Sequence, residues 1–272
     1  MSGKALVLGG GGVAGIAWAT GVVAALEDAG VRLLDADRVV GTSAGSAVAA
    51  QITSGLPMAD LLARQTDPAR QTPELPGGVD MAELWARLQA AYESSPDPAE
   101  QRRKVGELAL SAATVSEAER RAVIEARLPV HAWPERDLVI TAVDARTGEP
   151  RLFTRGSGVG LVDAVAASCA VPGVWPCVRI GGVPYMDGGV RSSTNADLAA
   201  GFDPVLVIAP MPDLGVPSWA ALDGAVEVIG PDEAAQAAFG ADPLAPESRT
   251  PSAEAGYAQG AAVAGKVAAF WK

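Results

Sequence analysis

Histidine is almost missing from this chain. His131 is the only one in 272 residues, and cysteine occurs twice, as Cys169 and Cys177. Without a Cys/His cluster a zinc site has no ligands to draw on, and a Ser-His-Asp triad would have to run through His131. Both cysteines fall within SCAVPGVWPC; an oxidising compartment could bridge them, but as a pair they read as small buried thiols. Basic residues are also short: 21 Lys and Arg face 32 Asp and Glu, a net charge of −11. That balance excludes nucleic acid as a partner, because phosphate binding needs clustered cations. It also excludes electrostatic docking on anionic lipid, and a neutral substrate met singly in solution suits it better. No charge-free run of about 18 apolar residues suggests a membrane span. The start, MSGKALVLGG, lacks the apolar region and cleavage site of a secretory leader. The expected address is the cytoplasm, with membrane contact at most peripheral.

What is present is apolar bulk, 49% of residues, enough for a sizeable core. KALVLG (4–9) reads as a buried strand and residues 15–29 as a helix stopped at Gly30. DRVVG (37–41) predicts a second strand, followed at once by a small-residue helix from Ala44 to about Ser54. Residues 57–128 are largely helical, broken at DPARQTPELPGG and SSPDPAE, and read as a helical insertion or cap. Strands resume at DLVITAVD (137–144) and RLFT, and a helix follows at 161–170. VRIGGVPYMDGG predicts a hairpin turning at Gly181-Gly182. DPVLVIAP and AVEVIGP add strands, and two helices close the chain. This alternation predicts an α/β fold with a mostly parallel central sheet and helices on both faces. With no repeat and no long linker, 1–272 reads as a single domain.

Two glycine-rich turns carry the chemistry. In ALVLGGGGVAGIAW, Gly10, Gly12 and Gly15 satisfy G-x-G-x-x-G between a strand and a helix. Glycines let backbone N–H groups approach negative charge, and the helix N-terminus adds its dipole. Alone, the loop suits a dinucleotide phosphate or an oxyanion. The second turn, Gly41-Thr42-Ser43-Ala44-Gly45, is a G-x-S-x-G between strand and helix, the setting that exposes a nucleophilic serine. A dinucleotide fold wants an acidic residue at the end of its second strand. Gly41 and Ser43 stand there instead, which favours the oxyanion reading of loop 9–12.

A nucleophilic Ser43 needs a base. His131 sits mid-chain in a Pro-flanked loop and reads as a surface or packing residue, so a carboxylate is the candidate. Asp187-Gly188-Gly189 and Asp223-Gly224-Ala225 share a form that most often marks a turn. Asp187 is the better placed, following a short strand, with paired glycines allowing close backbone approach. Partial desolvation would raise its pKa toward a useful value.

Three blocks resemble the patatin-like phospholipase family: GGGGVAG, GTSAG, and AASCAVPGVWPCVRIGGVPYMDGG with the following VRSSTNADLA. The resemblance spans roughly residues 4 to 210. It implies a three-layer α/β/α fold and an acyl hydrolase, an esterase or phospholipase A, that works through a Ser–Asp dyad without histidine. Ser43 would be the nucleophile, Asp187 the base, and Gly10, Gly11 and Gly12 the oxyanion loop, supported by Gly15, Gly41, Ala44, Gly45, Gly188 and Gly189. The substrate would be an ester or lipid, with no metal and no organic cofactor. Family members usually carry Arg or Lys where this chain has Ala14. An acyltransferase using the same site, or an impaired lipid or acyl binder, stays open. Of the other features, the six tryptophans read as core, the C-terminal helix as packed against the sheet, and Asn195 and Asp197 as fitting a helix N-cap as well as a site role.

Overall fold

The computed structural model describes residues 3–213 and 215–272. Its strands are β1 (Ala5–Leu8), β2 (Arg38–Thr42), β3 (Asp137–Asp144), β4 (Pro150–Phe153), β5 (Val178–Ile180), β6 (Val183–Asp187), β7 (Val205–Ile208) and β8 (Val226–Ile229). They form one sheet in the order β5-β6-β3-β2-β1-β7-β8, with β4 paired to β3. The run β3-β2-β1-β7-β8 is parallel, and β4, β5 and β6 add antiparallel pairings at the β3 end. The sheet is therefore mixed, with the parallel strands at its centre. Turn chemistry explains the antiparallel edge. ARTGEP and Gly181-Gly182 are too short for a crossover helix, so the strands they join return as hairpins.

The helices are α1 (Gly12–Asp28), α2 (Ala44–Ile52), α3 (Met58–Thr66), α4 (Met81–Glu93), α5 (Pro98–Ser111), α6 (Glu117–Arg127), α7 (Leu161–Ser168), α8 (Glu233–Phe239) and α9 (Arg249–Phe270). Helix α1 starts earlier than its apolar pattern suggests, because the loop glycines themselves enter the first turn. Strand residues alternate between two cores. Leu6, Leu8, Val39, Leu138 and Ile140 face the helices α1, α2 and α7. Ala5, Val7, Val40, Val139 and Val207 face the short 3-10 turns Ala196–Ala199 and Ser218–Ala221. Each fully buried aliphatic side chain contributes roughly 1.5–3 kcal/mol. A third cluster joins Leu84 and Leu88 of α4 and Val105 of α5 to Val143, Trp175 and Met186. The helical block thus seats on the β3–β6 end of the sheet.

Helix α9 departs from expectation. It packs mainly on α1 rather than on the sheet, because α1 already occupies that face. Glycines permit the approach: a Cβ on Gly21 would lie 2.2 Å from the Ala253 carbonyl oxygen, and one on Gly256 2.2 Å from that of Trp18.

One pairing matters most for function. β2 pairs with β3 as far as Thr42 opposite Thr141, where the chain leaves the sheet for α2. β6 then takes over the vacated edge, with Asp187 opposite Ala142. β4 overlaps both partners on β3 and so runs along the other edge. The last residue of β6 consequently falls beside the residue that follows β2.

Candidate active site

Ser43 is the single residue between β2 and α2, and it adopts φ 52°, ψ −121°. For a non-glycine residue this costs of order 1–3 kcal/mol and persists only when the surroundings impose it. They do so from both sides. The Ser43 N–H donates to Ser168 Oγ at 2.9 Å. Its carbonyl accepts from Ser46 Oγ at 2.6 Å and from Cys169 Sγ at 3.2 Å. A Cβ on Gly45 would stand 1.9 Å from the Leu8 carbonyl oxygen, and one on Gly41 2.6 Å from Ser46 Cα. The G-x-S-x-G spacing is thus a steric requirement of the turn.

Ser43 Oγ donates to Asp187 Oδ2 at 2.6 Å, across 144 residues of chain. The Gly189 N–H donates to Asp187 Oδ1 at 2.7 Å. Asp187 is 5% exposed. Burial pushes its pKa from 3.8 up to about 7, against the lowering effect of the bonds from Ser43 and Gly189. Gly188 has no room for a side chain, since a Cβ there would meet Thr141 Oγ1 at 2.1 Å.

Asn195 heads a 3-10 turn, but its side chain makes no cap bond. Wholly buried, its Nδ2 donates to Thr42 Oγ1 at 3.0 Å, to the Gly188 carbonyl at 3.2 Å and to the Ser192 carbonyl at 2.7 Å. It ties the residue before Ser43 to the residue after Asp187. Asp197 instead pairs with Arg191, whose Nη1 also donates to Asn195 Oδ1 at 2.6 Å. The polar "SSTNAD" run after Asp187 is the only sequence signal that could have found this brace.

The glycine loop lies against Ser43: a Cβ on Gly10 would be 4.0 Å from Ser43 Oγ. Gly10 stays in the loop, but its N–H is committed to the Ser193 carbonyl at 2.8 Å. That bond anchors the loop and leaves Gly10 no donor for an anion. The N–H groups of Gly11, Gly12 and Ala44 have no partner among the described residues. Gly15 packs its Cα under Pro210, and Ala14 is buried in α1, its N–H bonded to the Pro243 carbonyl.

Over Ser43 and Asp187 opens a cavity of about 220 Å³, walled by Trp85, Leu88 and Tyr92 of α4 together with Val171, Met211 and Leu244. A wider cleft of about 710 Å³ adjoins it, sharing Tyr92, Gly189, Val190 and Ser193 and adding Arg102, Arg191 and Asp213. Trp85 is 47% exposed at the mouth and so is not a core residue, whereas Trp18, Trp175 and Trp271 are buried. Helical periodicity alone could not separate a pocket-facing tryptophan from a core-facing one.

The remaining candidates lie elsewhere. His131 is exposed on a loop, with Nε2 against the Glu125 carbonyl at 3.0 Å. Asp223 is exposed ahead of β8. Cys169 and Cys177 are unbridged, the first buried and the second half-buried. Burial pushes both thiols up to about 11. Among the described residues, no three His, Cys, Asp or Glu side chains group as metal ligands.

Fold and site together define an α/β protein that presents a serine on a strained strand–helix turn, hydrogen-bonded to a buried carboxylate. A family model for patatin-like phospholipases matches residues 6–200, and the chain belongs to that family. Membership supports hydrolase chemistry on lipid esters. Among solved structures, VipD from Legionella pneumophila aligns over 98% of this chain and 67% of its own, at 15% identity and a TM-score of 0.54. The type III effector protein ExoU aligns over 98% of this chain and 53% of its own, at 18% identity and a TM-score of 0.45. The likeness to VipD speaks for the fold alone. No curated protein matches the chain. Among the described residues, no helix is long and apolar enough to cross a membrane.

Proposed function

We propose that this protein is a serine acyl hydrolase, of esterase or phospholipase A type, working through a Ser43–Asp187 dyad. The observation that carries the reading is the 2.6 Å bond from Ser43 Oγ to a buried Asp187. A carboxylate lifted to about 7 is a competent base near neutral pH, where about half of it is ionised and that half is basic enough to take a proton. Ser43 Oγ attacks the ester carbonyl as Asp187 accepts its proton. The loop 10–12 receives the oxyanion, with the Gly12 N–H as a donor, Gly11 shaping the turn and Gly10 anchoring it to Ser193. The alcohol departs with the proton from Asp187, which then activates water to release the acid.

Gly41, Gly45, Gly188 and Gly189 hold the two reacting residues, and Gly15 and Ala44 keep α1 and α2 close behind them. The cavity of about 220 Å³ is smaller than the roughly 300–1,000 Å³ of typical drug-sized sites and suits a short-to-medium acyl chain. The adjoining cleft, whose wall includes Arg102, Arg191 and Asp213, suits the alcohol portion. That same cleft supports a second reading, in which a bound alcohol rather than water captures the acyl-enzyme. In this reading residues 1–272 act as one domain, with 57–128 supplying the cap, and the unbridged thiols accord with a reducing cytoplasm.

The test is hydrolysis of a chain-length series of p-nitrophenyl esters by wild type, Ser43→Ala, Asp187→Asn and the decoy Asp223→Asn. Background rates for the two site variants, with full activity in the decoy, are expected. Activity surviving in Ser43→Ala refutes the dyad, and product analysis with added alcohol separates transfer from hydrolysis.

A further inference from the structure

Beside the nucleophile the chain buries more positive charge than it neutralises. Glu74 accepts from Arg120 with one carboxylate oxygen and from Arg127 with the other, and these side chains are at most 7% exposed. Arg249, also 5% exposed, lies next to them and donates to the Thr72 carbonyl at 2.8 Å. One carboxylate against three guanidinium groups leaves a buried surplus of cation. Such a surplus is costly unless something negative is met there. The first glycine loop brings no cation of its own, because no Lys or Arg lies between Lys4 and Arg32.

Of the two arginines that share a recess with Ser43, Arg120 is the one with an uncommitted donor. Its guanidinium stacks 3.9 Å above the Trp175 ring, which fixes its plane. Its Nε–H is buried and has no hydrogen-bond partner among the described residues, an unusual state for so strong a donor. Arg120 and Arg127 line a recess of about 20 Å³ together with Gly12, Ser43 and Ala44. The recess shares Gly12, Ser43, Val171 and Leu244 with the larger cavity over the dyad, so it opens off the substrate site. Its size admits one oxygen-sized atom. Two of the backbone N–H groups left without partners, those of Gly12 and Ala44, belong to residues of its wall.

We propose that this recess is the oxyanion site and that Arg120 is its charged donor, held in place by Glu74 and Trp175. The inference rests on the reading of Ser43 as nucleophile. As Ser43 Oγ bonds to the carbonyl carbon, its proton passes to Asp187 and the carbonyl π electrons move onto the oxygen. That oxygen lodges among the N–H groups of Gly12 and Ala44 and the Nε–H of Arg120. When the tetrahedral species collapses, the electron pair returns, and the alcohol leaves with the proton from Asp187.

The experiment compares wild type, Arg120→Met, Arg120→Lys and Arg249→Met. It measures kcat and KM on p-nitrophenyl butyrate and the rate of Ser43 labelling by a fluorophosphonate, all per labelled site. Arg120→Met should lower kcat about 10²-fold with little change in KM, and slow labelling in parallel. Arg120→Lys, which keeps the charge, should recover most of that loss. Arg249→Met removes an equally buried cation that does not line the recess, and its kcat should stay near wild type. Wild-type kcat in Arg120→Met, or an equal loss in Arg249→Met, overturns the proposal. Where Arg120→Met fails to fold, a structure of the wild-type phosphonate adduct decides. A phosphonyl oxygen within hydrogen-bond reach of Arg120 supports the proposal, and one directed elsewhere refutes it. Hydrolysis persisting in Ser43→Ala would instead sink the parent reading.

Discussion

Replacing Asp187 by Asn should abolish activity and stabilise the fold at alkaline pH, and the two effects have one cause. Burial lifts the Asp187 pKa from 3.8 to about 7. A group that binds its proton more tightly in the folded state stabilises that state only while protonated. The contribution is fully present below about 3.8, falls through the interval, and is gone above about 7. There the folded protein carries an ionised, desolvated carboxylate. At 1.36 kcal/mol per pH unit the cost approaches about 4 kcal/mol. Asn has nearly the same shape, can still meet Ser43 Oγ and the Gly189 N–H, and has no charge to desolvate. Asp187→Asn should therefore exceed wild type by up to about 4 kcal/mol at pH 8.5, roughly 10 °C in melting temperature for a chain of this size. The gap should shrink through pH 7 and close near pH 4. Urea or thermal unfolding of both proteins across that range measures it. Wild-type kcat/KM should rise with pH through about 7 as one proton leaves. A variant no more stable at pH 8.5, or a gap that widens in acid, would refute the burial argument.

Gly45→Ala places a Cβ 1.9 Å from the Leu8 carbonyl oxygen, so β1 and α2 must separate. The expected cost is about 3 kcal/mol or more with loss of fluorophosphonate labelling, and a wild-type melting temperature with intact labelling would contradict it. Trp85→Ala, at a side chain already 47% exposed, should cost under about 1 kcal/mol while moving the preferred acyl length upward. An unchanged chain-length profile would remove Trp85 from the acyl wall.

Much of this arrangement was legible in the residues because much of it is short-range. Strand β3 runs over the eight residues of DLVITAVD, as their apolar character predicts. In the 57–128 block α3, α4 and α5 begin at Pro57, Asp80 and Asp97, the two aspartates capping their helices, and α6 begins at a Ser116–Glu119 capping box. The elbow at Ser43 follows from Gly41 and Gly45, whose missing side chains are demanded by atoms a few residues away or one strand over. Other features were out of reach. ARTGEP and Gly181-Gly182 announced hairpins, but nothing in them said that β6 would continue the edge that β2 vacates. Asn195 fitted a cap as well as a site role; it stands at the head of a 3-10 turn, and its side chain braces the residues beside Ser43 and Asp187. Trp85 looked like core and lines a mouth.

By itself the sequence determined a strained serine turn, a glycine-rich loop between the first strand and helix, and a single histidine far along the chain from both. These depend on backbone sterics and residue type, which act over a few positions. Only the tertiary structure decided which Asp-Gly pair meets Ser43. Asp187 and Asp223 are alike in local pattern, but one ends a strand opposite Ala142 and the other is exposed. It also decided that the Gly10 N–H is spent on Ser193, that α4 walls the cavity, and that Arg120 lines a recess with Ser43 and has a donor to spare. Each of these joins residues far apart in the chain. Strand register and desolvation set them, and neither exists until the layers have packed.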